Sequence, residues 1–459
     1  MELNTREAAL KILLQSADNR TTLDRTLDAV SPQLAHLSQP DKNLCHAIVF
    51  GVLRHRNFLD HIIRSFSRIP LSRMDLPVLT VLRMALFQLR FLDRIPDFAA
   101  IDTSVNLIKA KNGQKTAGFV NGVLRNAVRR FHTLALPDPH TDLMGHITIV
   151  HSIPEWLAKR WIDRYGPDQI LELCRTINQV PPLTLRTNTL KITRSALSDT
   201  LKIAGHSVQL TPLSPDGIYS MESGARIEAL PGFDQGLFAV QDEAAQLVSL
   251  ILDPKPDHTV LDACAGLGGK TLHMAQIMGG QGQIIAMDTD PDKLSLLETE
   301  ARRLGIGNIE CRVLDLMKAD PSDFPHFFDR VLVDAPCTGL GVLRRNPDTK
   351  WKRAFQDIQR MAGRQKKLLH AAANRVKPGG ILLYAVCSGE PEENEQVVTA
   401  FLEKRKDYAL SPIRDCFGLP MDRYFKTFPN GMNMDGFFAA RLKRRDQINQ
   451  PHEPDPENG

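Results

Sequence analysis

Leu261-Asp262-Ala263-Cys264-Ala265-Gly266-Leu267-Gly268-Gly269-Lys270-Thr271 joins an apolar strand to a helix through three glycines. Glycines there let the backbone pass close to a ligand, and the amides that open the next helix face whatever binds. The spacing is neither the phosphate-loop pattern Gly-x-x-x-x-Gly-Lys-Ser/Thr nor the dinucleotide fingerprint Gly-x-Gly-x-x-Gly, so Lys270 is not a phosphate-loop lysine. Working outward, Ile284-Ile285-Ala286-Met287-Asp288 sets a carboxylate where nucleotide-binding sheets hold a ribose. Asp315, after a third strand, is placed to meet an adenine edge. A loose glycine loop followed by two such acids suits an adenosine without a pyrophosphate, and S-adenosylmethionine fits that better than NAD.

Around this turn, strands alternate with helices from Gln241 to about Arg444. The strand candidates are Thr259 to Ala263, Gln283 to Asp288, Ile309 to Leu314, Arg330 to Asp334 and Ile381 to Ala385. Such alternation implies a parallel sheet with right-handed crossovers, a Rossmann-like α/β domain over 241–445. Residues 150–240 read as a small α/β module: a short helix with Trp156 and Trp161, a strand at Leu183 to Arg186, a helix from Arg194 to Ala204, then short strands to Phe238. Residues 1–145 read as an all-α domain, with apolar residues at helical spacing in Arg6 to Ser16, Lys42 to Phe66, Leu76 to Phe91, Ala99 to Lys111 and Thr116 to Phe131. Asp41, Ser72 and Asp75 are the capping candidates. The polar residues 446–459 read as a disordered tail.

The chain has 459 residues, 42% of them apolar and 24% charged, enough for two or three domains with real cores. The start lacks a signal-peptide apolar region, and no stretch approaches eighteen uncharged apolar residues, so a cytoplasmic protein without membrane contact is expected. Seven cysteines without short regular spacing argue against a disulfide framework and against a Cys-x-x-Cys metal site. A monomer is the default expectation. The net charge of +4 says little by itself. Basic residues cluster in two places: Lys109, Lys111, Lys115, Arg125, Arg129 and Arg130, and again in the nine Lys or Arg from Arg344 to Lys367. The second cluster, directly after Asp334-Ala335-Pro336-Cys337-Thr338-Gly339, is expected to be a phosphate-contacting surface beside the active site. Trp351 within it is equally a stacking platform or a core residue.

Two thiols close apolar strands in the same half of the chain: Cys337 in the motif just quoted, and Cys387 in Tyr384-Ala385-Val386-Cys387-Ser388. Doubly wound sheets bind ligands at those strand ends, so these two are nucleophile candidates. Cys45, Cys174, Cys311 and Cys416 read as small buried hydrophobes.

The motif Asp334 to Gly339, the run Gly341-Val342-Leu343-Arg344-Arg345-Asn346-Pro347-Asp348-Thr349-Lys350-Trp351, and Val386-Cys387-Ser388 with Pro391-Glu392-Glu393-Asn394 together resemble the RNA (cytosine-C5)-methyltransferases. Asp41 to Leu59 and Val78 to Phe131 resemble the NusB-like helical domain found ahead of the catalytic core in the bacterial small-subunit ribosomal RNA branch. The resemblance implies an S-adenosylmethionine-dependent enzyme that makes 5-methylcytosine in RNA, with 16S ribosomal RNA as its partner. It matches Cys387 to the nucleophile that adds to C6 of cytosine, Cys337 to the second cysteine that helps release the methylated adduct, and Asp334 to the carboxylate at the cofactor and pyrimidine edge. Cofactor contacts fall on Cys264, Ala265, Gly266, Leu267, Gly268, Gly269 and Lys270, on Asp288 and Asp315, and again on Asp334.

The chain departs from the family pattern at Leu267, where proline is usual, and at Val386, where threonine is usual. Neither change removes a group that does chemistry. Two rivals stand beside this reading: a transfer-RNA cytosine methyltransferase, and a non-catalytic RNA-binding ribosome-assembly factor that keeps the fold. Intact Cys337, Cys387 and Asp334 count against the second. A nicotinamide dehydrogenase fails on its glycine spacing, and amino-methylating enzymes would need no thiol.

Overall fold

The computed structural model describes residues 3–18, 21–222, 226–324, 326–413, 423–428 and 433–446. Residues 447–459 of the expected tail, and Cys416, lie outside them. The chain divides into two compact units, one holding Met1–Pro181 with Val342–Phe355, the other holding Pro182–Gly341 and Gln356–Phe428 with the segment from Asn433.

The first unit is helical. Asn4 opens it with a reciprocal cap: its side chain accepts from the Arg6 and Glu7 amides while the Glu7 carboxylate accepts from the Asn4 N–H at 3.0 Å. Helices follow at Thr5–Ser16, Leu23–Val30, Gln39–Arg54, Arg56–Phe66, Leu76–Phe91 and Asp97–Arg130. Their apolar faces meet in one core that includes Leu10, Ile48, Leu59, Val81, Leu82 and Leu124. The run Lys42 to Phe66, expected as one helix, is two, because His55 leaves the helical region (φ −109°, ψ 21°). Its cap is Ser38, whose hydroxyl accepts from the Asp41 amide, so Asp41 lies inside the first turn. Asp75 stands at the cap position of Leu76–Phe91 but makes no side-chain capping bond. The helix Leu23–Val30 is an addition, too short for its periodicity to stand out. Asp97–Arg130 is interrupted at Gly113 (φ 80°, ψ 175°), between the two expected segments. The helix bearing Trp156 and Trp161 is longer than expected, running Glu155–Ile177 across a break at Gly166.

Val342–Phe355 belongs to this helical unit, and that corrects the reading of the second basic cluster at Arg344 and Lys350, while Arg360, Arg364 and Lys367 of the same cluster are exposed. Arg344 and Lys350 are buried, at 2% and 1% exposure, and cannot meet phosphate. Lys350 Nζ donates to the Arg54 carbonyl at 2.9 Å, and Arg54 Nη2 donates to the Arg344 carbonyl at 2.8 Å. The Trp351 indole donates to the Leu53 carbonyl at 2.6 Å beneath the Arg56 guanidinium, so this tryptophan is a packing residue. Lys109, Lys111, Lys115, Arg125, Arg129 and Arg130, by contrast, are all exposed.

The second unit carries two sheets. A four-stranded antiparallel sheet of β1 (Leu183–Thr187), β2 (Val208–Leu210), β3 (Gly217–Ser220) and β4 (Phe238–Val240) has the order β2-β3-β1-β4. The helix Arg194–Ile203 buries Leu197 and Leu201 against Leu185, Ile218 and Phe238 of this sheet. The large sheet has eight strands: β5 (Thr259–Asp262), β6 (Gln283–Asp288), β7 (Ile309–Val313), β8 (Phe328–Asp334), β9 (Val376–Val386), β10 (Tyr408–Leu410), β11 (Phe425–Lys426) and β12 (Phe438–Arg444). Its order is β10-β12-β9-β8-β5-β6-β7, with β11 paired to β12. β5 through β9 are parallel neighbours, and β12 runs antiparallel beside β9, with Phe438 opposite Val386. The expected strands are present. β12 and β10 extend the sheet beyond them and seal the far side of β9.

Several polar contacts fix the small sheet to the large one. Arg186, 1% exposed, donates to the Gly269 carbonyl at 2.6 Å and to Gln241 at 2.5 Å. Asn188 Nδ2 donates to the Leu304 carbonyl, and His273 meets Asp216 at 3.1 Å. A fully buried guanidinium aimed at the first turn of the helix Gly269–Ile277 anchors the glycine loop from behind.

Candidate active site

The chain goes from β5 out to β6 and β7, then returns to the other side of β5 at β8. That reversal opens a crevice at the strand ends, where doubly wound sheets hold their ligands. Cys264 to Lys270, Asp288, Asp315, Asp334, Cys337 and Cys387 lie on strand ends, on loops or in the first turn of a helix at this edge. Asp334 stands opposite Ala385 at the ends of β8 and β9, while Asp262 stands opposite both Leu332 and Ala286.

On the β5 side, Gly266 and Gly268 turn the loop with φ of +56° and +85°. A Cβ on Gly268 would lie 2.3 Å from Leu297 Cγ, so only glycine fits there, whereas one on Gly266 would meet open space. Asp288 accepts from the Gly266 amide at 3.0 Å and from the Asp290 amide at 2.9 Å, which ties the end of β6 to the loop. Asp315 accepts from the Met317 amide at 3.1 Å, just after Leu314 donates to the Asp288 carbonyl. Leu267 is 61% exposed at the crown of the loop. Space over Gly266, the opening amides of a helix and two half-buried carboxylates suit a small adenosine-bearing molecule. Cys264 sits among carboxylates, and burial together with Asp262 pushes its thiol up. It is not poised to ionise.

On the β8 and β9 side, Cys337 Sγ and Cys387 Sγ are 3.2 Å apart. That is hydrogen-bond contact between two thiols, well beyond the ~2.05 Å of a disulfide. The hydrogen bond to Cys387, followed by burial, drives the Cys337 thiol well above its ordinary range, so Cys337 keeps its proton. Lys270 reaches from the glycine loop to Asp334 Oδ2 at 2.6 Å, with its ammonium 5.0 Å from the Phe437 ring. Burial works against the Lys270 charge, but Asp334 outweighs it, Cys387 adds to the same direction, and the ammonium is held above its usual range.

Glu393 is the residue that sequence reasoning passes over. It is fully buried and accepts from the Thr338 amide at 2.9 Å, the Thr338 hydroxyl at 2.5 Å, the Ser388 hydroxyl at 2.6 Å and Gln365 Nε2 at 3.0 Å. Thr338 follows Cys337 and Ser388 follows Cys387, so one carboxylate fixes the loops of both thiols. Gln365 also donates to the Pro336 carbonyl, and Tyr384 donates to the Glu393 carbonyl. Burial raises the Glu393 carboxyl, against the pull of its four donors. Behind Cys387, Gly341 donates to its carbonyl at 3.0 Å and Gly436 donates to the Gly341 carbonyl at 2.8 Å. The signal for Glu393 in the sequence is its place in Pro391-Glu392-Glu393-Asn394, within reach of the Cys387 turn.

Of the other cysteines, Cys45 and Cys174 are buried in the helical unit, while Cys311 is only half-buried, because β7 is the last strand on its side of the sheet. Among the described residues, no group of three His, Cys, Asp or Glu is arranged to hold a metal ion, and no helix is long and apolar enough to cross a membrane.

Residues 249–443 match the family model described as 16S rRNA methyltransferase RsmB/F, residues 3–129 match the NusB family, and residues 153–225 match an RsmF/B-like ferredoxin-like domain. The chain is 34% identical, over 96% of its length and 99% of the relative's, to the probable ribosomal RNA small subunit methyltransferase B of Bacillus subtilis (strain 168). It is 34% identical to the protein of the same description from Synechocystis, over 96% of this chain and all of that one. The fold also matches the crystal structure of PH0851, at a TM-score of 0.79 and 24% identity, covering 97% of this chain and 100% of that one.

Proposed function

We propose a reaction whose premise is family membership: this chain belongs to the ribosomal RNA small subunit methyltransferase B family. The reaction is methylation of C5 of a cytosine in 16S ribosomal RNA through a covalent adduct with Cys387. The observation that carries it is the pair of thiols 3.2 Å apart, of which Cys337 is held protonated.

C5 of a neutral cytosine is a poor nucleophile, and addition of a thiolate at C6 makes it a good one. The Cys387 sulfur forms the bond to C6, and the electron pair of the ring double bond passes toward C5 and the ring nitrogen N3. Lys270 donates to Asp334 at 2.6 Å, and this pair is the source of the proton that the ring edge gains as the sulfur adds. S-adenosylmethionine, when bound, supplies a methyl carbon made electrophilic by its sulfonium. The loop Cys264 to Lys270, with Asp288, Asp315 and Asp334, would hold it. After C5 has gained its methyl, the C5 proton passes to a water acting as base, the C5–H electron pair re-forms the C5–C6 double bond as the C6–S bond breaks with its pair going to Cys387, and the ring-edge proton returns to the Lys270–Asp334 pair. The Cys337 S–H then donates to the departing thiolate and lowers the barrier to release. The cytosine must be unpaired or flipped, because C6 is reached only from the ring face.

The test is transfer of tritiated methyl from S-adenosylmethionine to purified 16S ribosomal RNA and, in parallel, to transfer RNA, followed by nucleoside analysis. Label in 5-methylcytidine of ribosomal RNA supports the reading, and label in transfer RNA alone replaces the substrate. Cys337→Ala should accumulate a denaturation-resistant protein–RNA adduct, whereas Cys387→Ala should neither methylate nor trap. Full activity in both variants would overturn the assignment.

A further inference from the structure

Trp156, Lys159, Arg160, Asp163 and Arg164 follow one another along Glu155–Ile177 at the three- and four-residue spacing that puts side chains on one helix face. Phe355 lies against that face, with the Arg160 guanidinium 5.7 Å from its ring centroid. These six residues line an open cavity of about 530 Å³ within the helical unit. Phe355 is 49% exposed and lines the cavity, so its ring is open to a molecule that enters there. Lys159 and Arg164 are exposed at the rim, and the lining carries three cations against the single carboxylate of Asp163. The cavity holds none of the groups assigned to the methyl-transfer chemistry.

We propose that this cavity binds single-stranded RNA, taking one unpaired nucleotide with its base against Phe355 and Trp156 and its phosphates against Lys159 and Arg164. The proposal rests on the reading of this chain as an RNA methyltransferase and adds a place where the substrate is gripped. Aromatic faces ringed by cations are how proteins hold unpaired strands: every base has a face to stack, and the phosphates supply the opposite charge. Arg160 suits both tasks, since a planar guanidinium stacks on rings and forks to phosphate. The volume lies within the ~300–1,000 Å³ of ordinary ligand sites, room for one nucleotide. The buried Arg344 and Lys350 cannot grip phosphate, and this face supplies exposed cations beside Phe355, the last residue of the same segment.

The experiment titrates the full-length protein into a fluorescein-labelled twelve-nucleotide single-stranded RNA at several salt concentrations, alongside methyl transfer to ribosomal RNA. Phe355→Ala is expected to weaken binding about tenfold, the order of one lost base–aromatic stack. Lys159→Glu changes an exposed helix position, so it keeps the fold, and it should lower the salt slope of binding by about 0.7. Replacing one base by 5-iodouridine and irradiating should label peptides containing Trp156 or Phe355. If both variants, with thermal unfolding like that of the parent protein, bind RNA as tightly and with the same salt slope, the cavity proposal is overturned while the methyl-transfer chemistry stands. If the parent protein binds the probe through these residues but transfers no methyl, the grip stands and the chemistry falls.

Discussion

Lys270, in the α/β unit, and Lys350, in the helical unit, have both left solvent, with 11% of the Lys270 side chain and 1% of Lys350 exposed. They respond in opposite senses. Lys270 faces a carboxylate and is held charged. Lys350 faces the Arg54 carbonyl and lies near the Arg54 guanidinium, and burial pushes it down to about 7. The same contrast runs through the two units. In the α/β unit Lys270 meets Asp334 and Glu393 collects four donors, whereas the buried Arg186 sits on the Gly269 carbonyl and burial takes it down to about 10. The helical unit seats Arg54 and Lys350 on backbone carbonyls, and burial takes His55 down to about 3 and His151 to about 4. Against these stand the Arg83–Asp60 pair, buried and doubly hydrogen-bonded at 2.7 and 2.8 Å, and Lys352 with Asp348 at 3.1 Å. A partner, and not burial alone, decides whether a buried cation is a fixed tool or a group that gives up its proton.

Lys270→Met should break the comparison most forcefully. Asp334 loses the source of its proton and Cys387 loses its cation, so kcat should fall about 10²–10⁴-fold, the range for removing a general acid. A variant with near-normal kcat would mean that the charged lysine serves the fold only. Glu393→Ala should come next: it strands donors from Thr338, Ser388 and Gln365, each at a cost of about 1–3 kcal/mol when no water replaces the carboxylate. Thermal unfolding reads that loss, and trapping of the Cys387 adduct should slow with it, because the two thiol loops no longer share an anchor. Unchanged trapping in a destabilised protein would confine Glu393 to stability. Lys350→Met is the mildest change and sharpens the other side of the contrast. Because the Lys350 pKa is lower in the folded state than its ordinary 10.5, its contribution is fully present above pH 10.5 and is lost as pH falls toward about 7. The variant should therefore lose the decline in stability between pH 10.5 and 7 that the parent protein shows, which unfolding midpoints in denaturant across that range would measure.

The ends of β5, β6, β8 and β9 are legible in the sequence because uncharged apolar runs define central parallel strands, and the chemistry-bearing residue comes directly after each run. β12 is not. Phe438-Ala-Ala-Arg-Leu-Lys-Arg mixes cations into its run, as suits a strand placed late in the chain and antiparallel to β9, β10 and β11. The break at His55 is hidden because apolar residues continue on both sides of it. The interior fate of Arg344 and Lys350 is hidden for a different reason. Charge composition argues for the surface, whereas the carbonyl that receives Lys350 lies 296 residues away in sequence, and the Arg344 carbonyl receives Arg54 across 290. Glu393 escapes notice because its donors at 338, 365 and 388 converge only after three separate stretches of chain have been laid side by side.

The return of Val342–Phe355 to the helical unit sets a timetable for synthesis. The Leu23 amide donates to Asp348 across 325 residues, and Lys352 donates to the Thr21 carbonyl. At about 5–20 residues per second, a ribosome delivers Asp348 roughly 16–65 s after Leu23. For that interval the first helices made lack the segment that brings the Lys350 ammonium to the Arg54 carbonyl and the Trp351 indole to the Leu53 carbonyl. The part of the protein that emerges first is thus among the last to be completed.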